Sequence, residues 1–443
     1  MSSVTLRGVR HGSGAPGPSL AEGPSGPLRL LLGVGTGGPT SRLDGHLAQW
    51  GPLPSWRGSE LIDVLDRSGL RGHGGAWFPV AAKWRSVQAA GRRAPVVVAN
   101  GAEGEPASGK DRFLLHRHPH LVLDGAAAAA TTLGAARVVV HVPQSAVAAM
   151  TGAIAERRHR RLDPCPVEVV VAPDRFLAGQ ESAVVGTING ARPATPTFVG
   201  LHPVRQRGVG GRPTLVQNVE TLAHVALIAR FGNAWFRSVG TAASPGTTLL
   251  TVTGAWPDPR IVEAPLGVGL GEMLGLGGQD ATSFQGVLVG GYGSGWVTPT
   301  EALTTPLTEE AFRAMGSSIG AGVVAFLPVG VCPLAEVAGV VRYLEGEGAG
   351  QCGPCVNGLA AIATTMEHLA FRPGMLRSGV AVLPTLCGLV EGRGACRHPD
   401  GVARFVRTSL RVFESHIEQH LRRGPCAPGP VFLPIPGRRW SGR

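Results

Sequence analysis

Six of the seven cysteines lie beyond residue 330, at 332, 352, 355, 387, 396 and 426, and the seventh is at 165. An odd count concentrated in one part of a chain argues for ligation of a metal or cluster over disulfide pairing. Cys352-Gly353-Pro354-Cys355 sets two thiols on a Gly/Pro turn leading into a helical pattern, where helix-end amides can stabilise charged sulfur. Cys387 and Cys396 follow across one helix-like stretch, close enough to return to the same point. Four thiolates satisfy zinc, and they satisfy an iron–sulfur cluster equally well. Cys165, Cys332 and Cys426 have no cysteine near them in sequence and are expected to be structural.

Other segments gather polar groups on glycine-rich turns. GLRGHGGAWFP at 69–79, followed by Lys83 and Trp84, holds Gly72, Gly74 and Gly75, which let backbone amides approach an anionic or planar ligand. VVVANGAEGEPASGKDR at 96–112 places Asn100, Glu103, Glu105, Lys110 and Asp111 directly after a β-branched run. FLAGQES at 176–182 contributes Gly179 and Glu181, and GGRPTLVQNVETLAH at 210–224 contributes Gln217, Asn218, Glu220 and Thr221. Lysine occurs only at 83 and 110, and both fall inside these segments.

The elements that position them follow from periodicity. PVVVAN (95–100), ARVVVHV (136–142) and VEVVVA (167–172) alternate with helix-like stretches at 119–134 and 144–158, which predicts βαβ units and a mostly parallel sheet with ligands at the carboxyl ends of its strands. Short strands broken by Gly and Pro at about 248–297 predict a small β-rich domain, and the helical patterns from about 307 predict a helical bundle. Residues 1–25, rich in Gly, Ser and Pro, read as a mobile arm. With 443 residues, two to four folding units are expected, and 43% hydrophobic against 16% charged residues excludes disorder for most of the chain. The net charge of +11 comes from scattered arginines without an interleaved aromatic motif, which argues against nucleic acid. The apolar runs are broken too soon to span a bilayer, and no signal peptide pattern opens the chain, so a cytoplasmic setting without membrane insertion is expected.

GLRGHGGAWFP with KW, NGAEGEP with KDR, GQES, GRPTLVQNVET, AMGSSIGAG near 314–322 and GQCGPC stand here in a distinctive order. Over about residues 56–420 the chain thereby resembles the flavin-bearing, NADH-oxidising subunit of respiratory complex I and the matching subunits of NAD-dependent hydrogenases and formate dehydrogenases. The resemblance implies an α/β fold in three units after an arm and lead-in at 1–55. These are a Rossmann-like FMN/NADH domain at 56–240, a small ubiquitin-like β-grasp (SLBB) domain at 241–330, and a helical bundle at 331–425 holding a [4Fe–4S] cluster, with a tail at 426–443. It implies that Gly72, Gly74, Gly75, Lys83, Asn100, Glu103, Glu105, Gln217 and Asn218 surround FMN. NAD(H) would lie over the flavin near Gly179 and Glu181, with Glu181 as the catalytic group. Cys352, Cys355 and Cys396 stand at cluster-ligand positions.

Departures from the family pattern are specific. His73 stands for an Arg and Trp77 for a Gly, and the indole is expected to fill part of the nucleotide or flavin pocket. Ala102 and Gln180 each replace a carboxylate, and Ala349 occupies the first cysteine position of the cluster motif. Cys387 is then the leading fourth ligand, with His398 and Glu347 as alternatives, unless the cluster is held by three cysteines. The implied chemistry is hydride transfer from NADH to FMN and single-electron transfer through the cluster to a [2Fe–2S] partner subunit or a ferredoxin. Two other readings stay open: an altered paralogue acting as a non-NADH electron-transfer or scaffold module, and a zinc-stabilised ligand-binding protein.

Overall fold

The computed structural model describes residues 19–20, 28–32, 41–91, 93–191, 195–197, 203–277, 281–372, 376–427, 429 and 431–437. After β1 (Ser19–Leu20), four strands build the first sheet: β2 (Val96–Asn100), β3 (Arg137–Val142), β4 (Val167–Val171) and β5 (Thr214–Asn218). Their order is β4-β3-β2-β5 and every pair is parallel. The β-branched runs of β2 and β3 carry no polar alternation because helices and loops bury both faces. The winding direction reverses between β2 and β5, which opens a crevice at their carboxyl ends, and the register sets Asn100 opposite Asn218 there. The chain is thus mixed α/β with a parallel sheet, consistent with a Rossmann-like flavin domain.

Helices Pro119–Leu133 and Val219–Phe236 pack closely together in the core of this sheet. Their approach accounts for the small-residue run at 125–130, since a Cβ at Gly125 would overlap the Leu222 carbonyl.

The second sheet uses β6 (Thr247–Thr253), β7 (Arg260–Pro265), β8 (Phe284–Val289), β9 (Gly295–Val297) and β10 (Val323–Pro328) in the order β1-β7-β6-β10-β8-β9. β1 runs parallel to β7 and β10 parallel to β6, while the other pairs are antiparallel. The two-residue period of β10 divides its side chains between two cores. Val324 and Phe326 pack with Leu250, Val252 and Val262, whereas Val323, Ala325 and Leu327 join a core built with the C-terminal helices. Those helices are Pro333–Gly346, Ala360–Phe371, Leu376–Val390, His398–Val412 and Glu414–Arg423.

Of the stretch expected to be a mobile arm, only Ser19 and Leu20 are among the described residues, and they pair with Arg260 and Ile261. The lead-in that follows is also anchored. The backbone amides of Arg29, Leu30 and Leu31 donate to the buried carboxylate of Glu263 at 2.9–3.0 Å, and Leu30 and Leu31 enter the first core. Among the described residues no helix is long and apolar enough to cross a membrane.

Candidate functional site

A cavity of about 340 Å³ opens over the carboxyl ends of β2 and β5, within the roughly 300–1,000 Å³ usual for cofactor sites. Gly74 and Gly75, the 100–105 loop and the 176–180 turn supply one side. The second sheet supplies Gly290, Gly293 and Ser294 between β8 and β9, and Ser318, Gly320 and Ala321 ahead of β10. Arg397, His398 and Arg404, at the start of helix His398–Val412, complete the wall. Two of the loops interlock. Asn100 Nδ2 donates to the Gly179 carbonyl at 2.9 Å, and a Cβ on Gly179 would stand 2.8 Å from the Ala102 carbonyl oxygen, so only glycine lets the turn lie this close.

The polar floor is a buried charge network. Lys110, 2% exposed, pairs at 2.7 Å with Asp111 Oδ1 and at 2.7 Å with Glu220 Oε2. Burial opposes its charge, but the two carboxylates outweigh burial and hold the ammonium above its ordinary pKa. Asn218 Nδ2 donates to Asp111 Oδ2 at 2.7 Å, while Asn218 Oδ1 accepts from the amides of Glu220 and Thr221 and caps the following helix. Burial, and then the nearby Asp111, raise Glu103, whose carboxylate accepts from Ser108 Oγ at 2.7 Å and from the Asp111 amide at 3.0 Å. Burial pushes Glu105 up to about 7 against the amides of Tyr292 and Ala107, which donate to it at 2.8 and 3.3 Å.

Gly74, Gly75, Asn100, Glu103, Glu105, Gly179 and Asn218 all line the cavity; Gly72, Lys83, Glu181 and Gln217 do not. The Gly72 amide closes its own loop on the Phe78 carbonyl at 2.9 Å, and Gln217 is buried on β5. Lys83 Nζ turns to the Val216 carbonyl at 2.6 Å and to Glu181 Oε1 at 2.9 Å, forming a half-buried ion pair. Gln180, by contrast, lines the cavity, and its side-chain oxygen accepts from the amides of Ser182 and Ala183, both at 2.9 Å, as the N-cap of helix Glu181–Ile188.

Trp77 overturns an expectation. The indole does not line the cavity: with φ at 51° and 4% exposure it packs among Leu250, Val252 and Val262, and its ring lies 4.9 Å from that of His73. Ala102 does line the cavity, so its missing carboxylate leaves a real difference there. The β8–β9 turn and the wall residues Arg397 and Arg404 were not anticipated from the sequence. The glycine run GGYGSG at 290–295 was their available signal, but it reads as punctuation between strands.

Beside the cavity, Cys355 has Cys352 and Cys396 as sulfur neighbours, and burial pushes its thiol up to about 11. The Ala395 amide donates to Cys352 Sγ at 3.4 Å. Cys387 is fully buried on helix Leu376–Val390; after burial, the groups acting on it most strongly are Arg407 and Glu391, themselves paired at 3.0 Å. The alternative ligands are already engaged: His398 Nε2 meets the Leu344 carbonyl at 2.8 Å, and Glu347 Oε2 accepts from Arg175 Nε at 2.8 Å and the Phe176 amide at 2.7 Å. Cys332 and Cys426, expected to be structural and without a cysteine near them in sequence, meet together with His416 and His420.

Known proteins share both regions. Residues 65–227 match the family described as the Nuo51 FMN-binding domain, and residues 335–420 match the NADH-ubiquinone oxidoreductase-F iron-sulfur binding region. An NADH-quinone oxidoreductase F-chain of Rhizobium meliloti is 28% identical over 403 residues, covering 86% of this chain and 93% of its own. The HndC component of the NADP-reducing hydrogenase of Solidesulfovibrio fructosivorans is 27% identical over 383 residues, 83% of this chain and 77% of its own. Among solved structures, the NAD+-reducing [NiFe]-hydrogenase in the air-oxidized state superposes with a TM-score of 0.75 at 28% identity, covering 94% of this chain and 70% of that one.

Proposed function

Because the chain belongs to the family of flavin-bearing, NADH-oxidising subunits of NADH-quinone oxidoreductase, we propose that it is an electron-input module holding FMN in the cavity at the switch point and an iron–sulfur cluster on Cys352, Cys355 and Cys396. The observation that carries this reading is continuity. Arg397 and His398, which line the cavity, follow Cys396 directly in the chain, so the two cofactor positions share a wall.

The donor set fits a flavin mononucleotide. Arg397 and Arg404 bring positive charge for a phosphate, Asn100, Asn218, Glu103 and Glu105 offer hydrogen-bonding groups for a polyhydroxylated chain, and glycines leave flat surface for a ring system. When bound, the flavin would supply hydride acceptance from NADH and the cluster a one-electron relay. The residues position and tune. The network of Lys110, Asp111 and Glu220 keeps a fixed charge on the floor, and Asn100 locks the 176–179 turn. Glu181 and Lys83, half-buried just beyond Gln180, would orient NADH at the rim. The strand order β7-β6-β10-β8-β9, with helix Leu270–Gly277 between β7 and β8, supports a β-grasp (SLBB) assignment for 241–330, and the five helices after 331 support a cluster-bearing bundle. A [2Fe–2S] partner subunit or ferredoxin would take the electrons onward.

A second reading, an electron-transfer module that does not oxidise NADH, is favoured by Ala102 and by the capping role of Gln180. Purified anaerobically, the protein is expected to carry flavin that NADH bleaches. Gly74→Val, whose Cβ would press on Asn218 Cβ at 3.1 Å, should lose flavin and keep its iron. Flavin bleached by dithionite but not by NADH selects the second reading, and full flavin retention in Gly74→Val removes FMN from this cavity.

A further inference from the structure

Four ligand atoms from three separate elements converge away from the residues assigned to flavin and cluster. Cys332 caps the start of helix Pro333–Gly346; His416 and His420 lie one turn apart on helix Glu414–Arg423, on the same face; Cys426 follows just after that helix ends at Gly424. Their donor atoms all lie within 4.8 Å of one another. Cys332 Sγ is 3.7 Å from His416 Nε2 and 3.6 Å from His420 Nε2, and Cys426 Sγ is 3.4 Å and 3.3 Å from the same two atoms.

Those four distances have a simple geometric meaning. A tetrahedral zinc ion with sulfur at about 2.3 Å and imidazole nitrogen at about 2.0–2.1 Å has S···N edges of about 3.6 Å. The four S···N edges therefore already match those of such a tetrahedron, and all four donor atoms lie within 4.8 Å of one another. His420 is buried and the other three are half-buried, so the position is enclosed yet reachable from solvent.

We propose that Cys332, His416, His420 and Cys426 form a structural zinc site independent of the flavin and of the iron–sulfur cluster. Two thiolates and two neutral imidazoles neutralise the ion and fill its coordination shell, leaving no open position for catalysis. Thiolate with imidazole in a tetrahedron selects zinc over the harder divalent cations. The site ties the segment after Cys426 to the helices. That segment is buried at Leu433 and Ile435, the Leu433 amide donates to Glu336 Oε2 at 2.7 Å, and Tyr292 Oη donates to the Pro434 carbonyl at 2.6 Å. Tyr292 follows Gly290 and precedes Gly293 of the cavity wall, so the clamp steadies the strand turn that faces the flavin position.

The test uses untagged full-length protein, purified anaerobically from zinc-supplemented culture. Metal analysis should find about one zinc per chain, and zinc-edge X-ray absorption should show two sulfur and two nitrogen ligands. Cys332→Ser and His416→Ala should each bring zinc to background with cluster iron unchanged, and should speed tryptic cleavage at Arg422 and Arg423. Cys355→Ser should lose iron and keep zinc. The proposal is overturned if wild-type protein holds no zinc, if the zinc shell is all sulfur, if zinc leaves with Cys355→Ser, or if thiol counting finds Cys332 and Cys426 joined as a disulfide. The wild-type absorption measurement decides the matter even where a variant fails to fold.

Discussion

Two sets of proposed metal ligands lie in the C-terminal part of this molecule, and they differ in how plainly the sequence announces them. Cys352 and Cys355, proposed as cluster ligands with Cys396, sit in a recognisable C-x-x-C motif, and Ala349 stands where the family pattern has a further cysteine. Cys332, His416, His420 and Cys426 have no motif that joins them, yet the fold delivers a full set of four. A local motif declares its purpose even when damaged, whereas a set assembled across the chain stays silent even when intact.

The largest expected effect breaks the two sets apart. Cys355→Ser should remove nearly all cluster iron, while Cys387→Ser, a change at a thiol facing Arg407, should leave iron content as it was. Iron and sulfide assays on both variants check this, and iron lost from Cys387→Ser would return that residue to the cluster.

The glycine loop allows a sharper version of the contrast, because there motif position and spatial position disagree. Trp77→Gly removes a core indole, which costs about 3–5 kcal/mol by cavity formation, less about 1–2 kcal/mol regained from a left-handed backbone that glycine tolerates. Denaturation midpoints should fall accordingly. The rate of flavin bleaching by NADH should stay unchanged, and faster bleaching would mean that the indole does reach the cavity.

The smallest effect lies at Glu105, where motif and space agree. Its carboxyl is pushed up to about 7 by burial, so the folded chain holds a proton that the unfolded chain has released, and stability falls as pH rises from about 4.5 to 7, then levels off. At about 1.4 kcal/mol per pH unit the span is at most about 3.5 kcal/mol. Glu105→Gln removes this slope, so the flavin-free variant should gain on wild type between about pH 5 and 8 in urea titrations. Parallel pH curves for the two proteins would show that Glu105 titrates normally.

The parallel sheet and its asparagines were legible because β-branched runs ending in polar residues have few other readings: Asn100 and Asn218 lie opposite each other at adjacent strand ends. Side-chain direction was not legible. Trp77 follows the glycines of the loop, but a φ of 51° turns it into the second sheet's core. Lys83 was expected among the residues around FMN and instead binds the Val216 carbonyl, which becomes apparent only once β5 lies beside its helix. Cys332 could not be paired with Cys426 in advance, since two separate helices set their meeting point.

The cavity has a consequence for how the protein is made. Its wall begins at His73 and ends at Arg404, and it draws on both sheets and on a late helix. During synthesis the glycine loop and the asparagines leave the ribosome long before the wall that must face them exists. A flavin arriving at that stage would meet only part of the wall proposed to hold it, the glycine loop and the asparagines without the β8–β9 turn, Arg397 and Arg404.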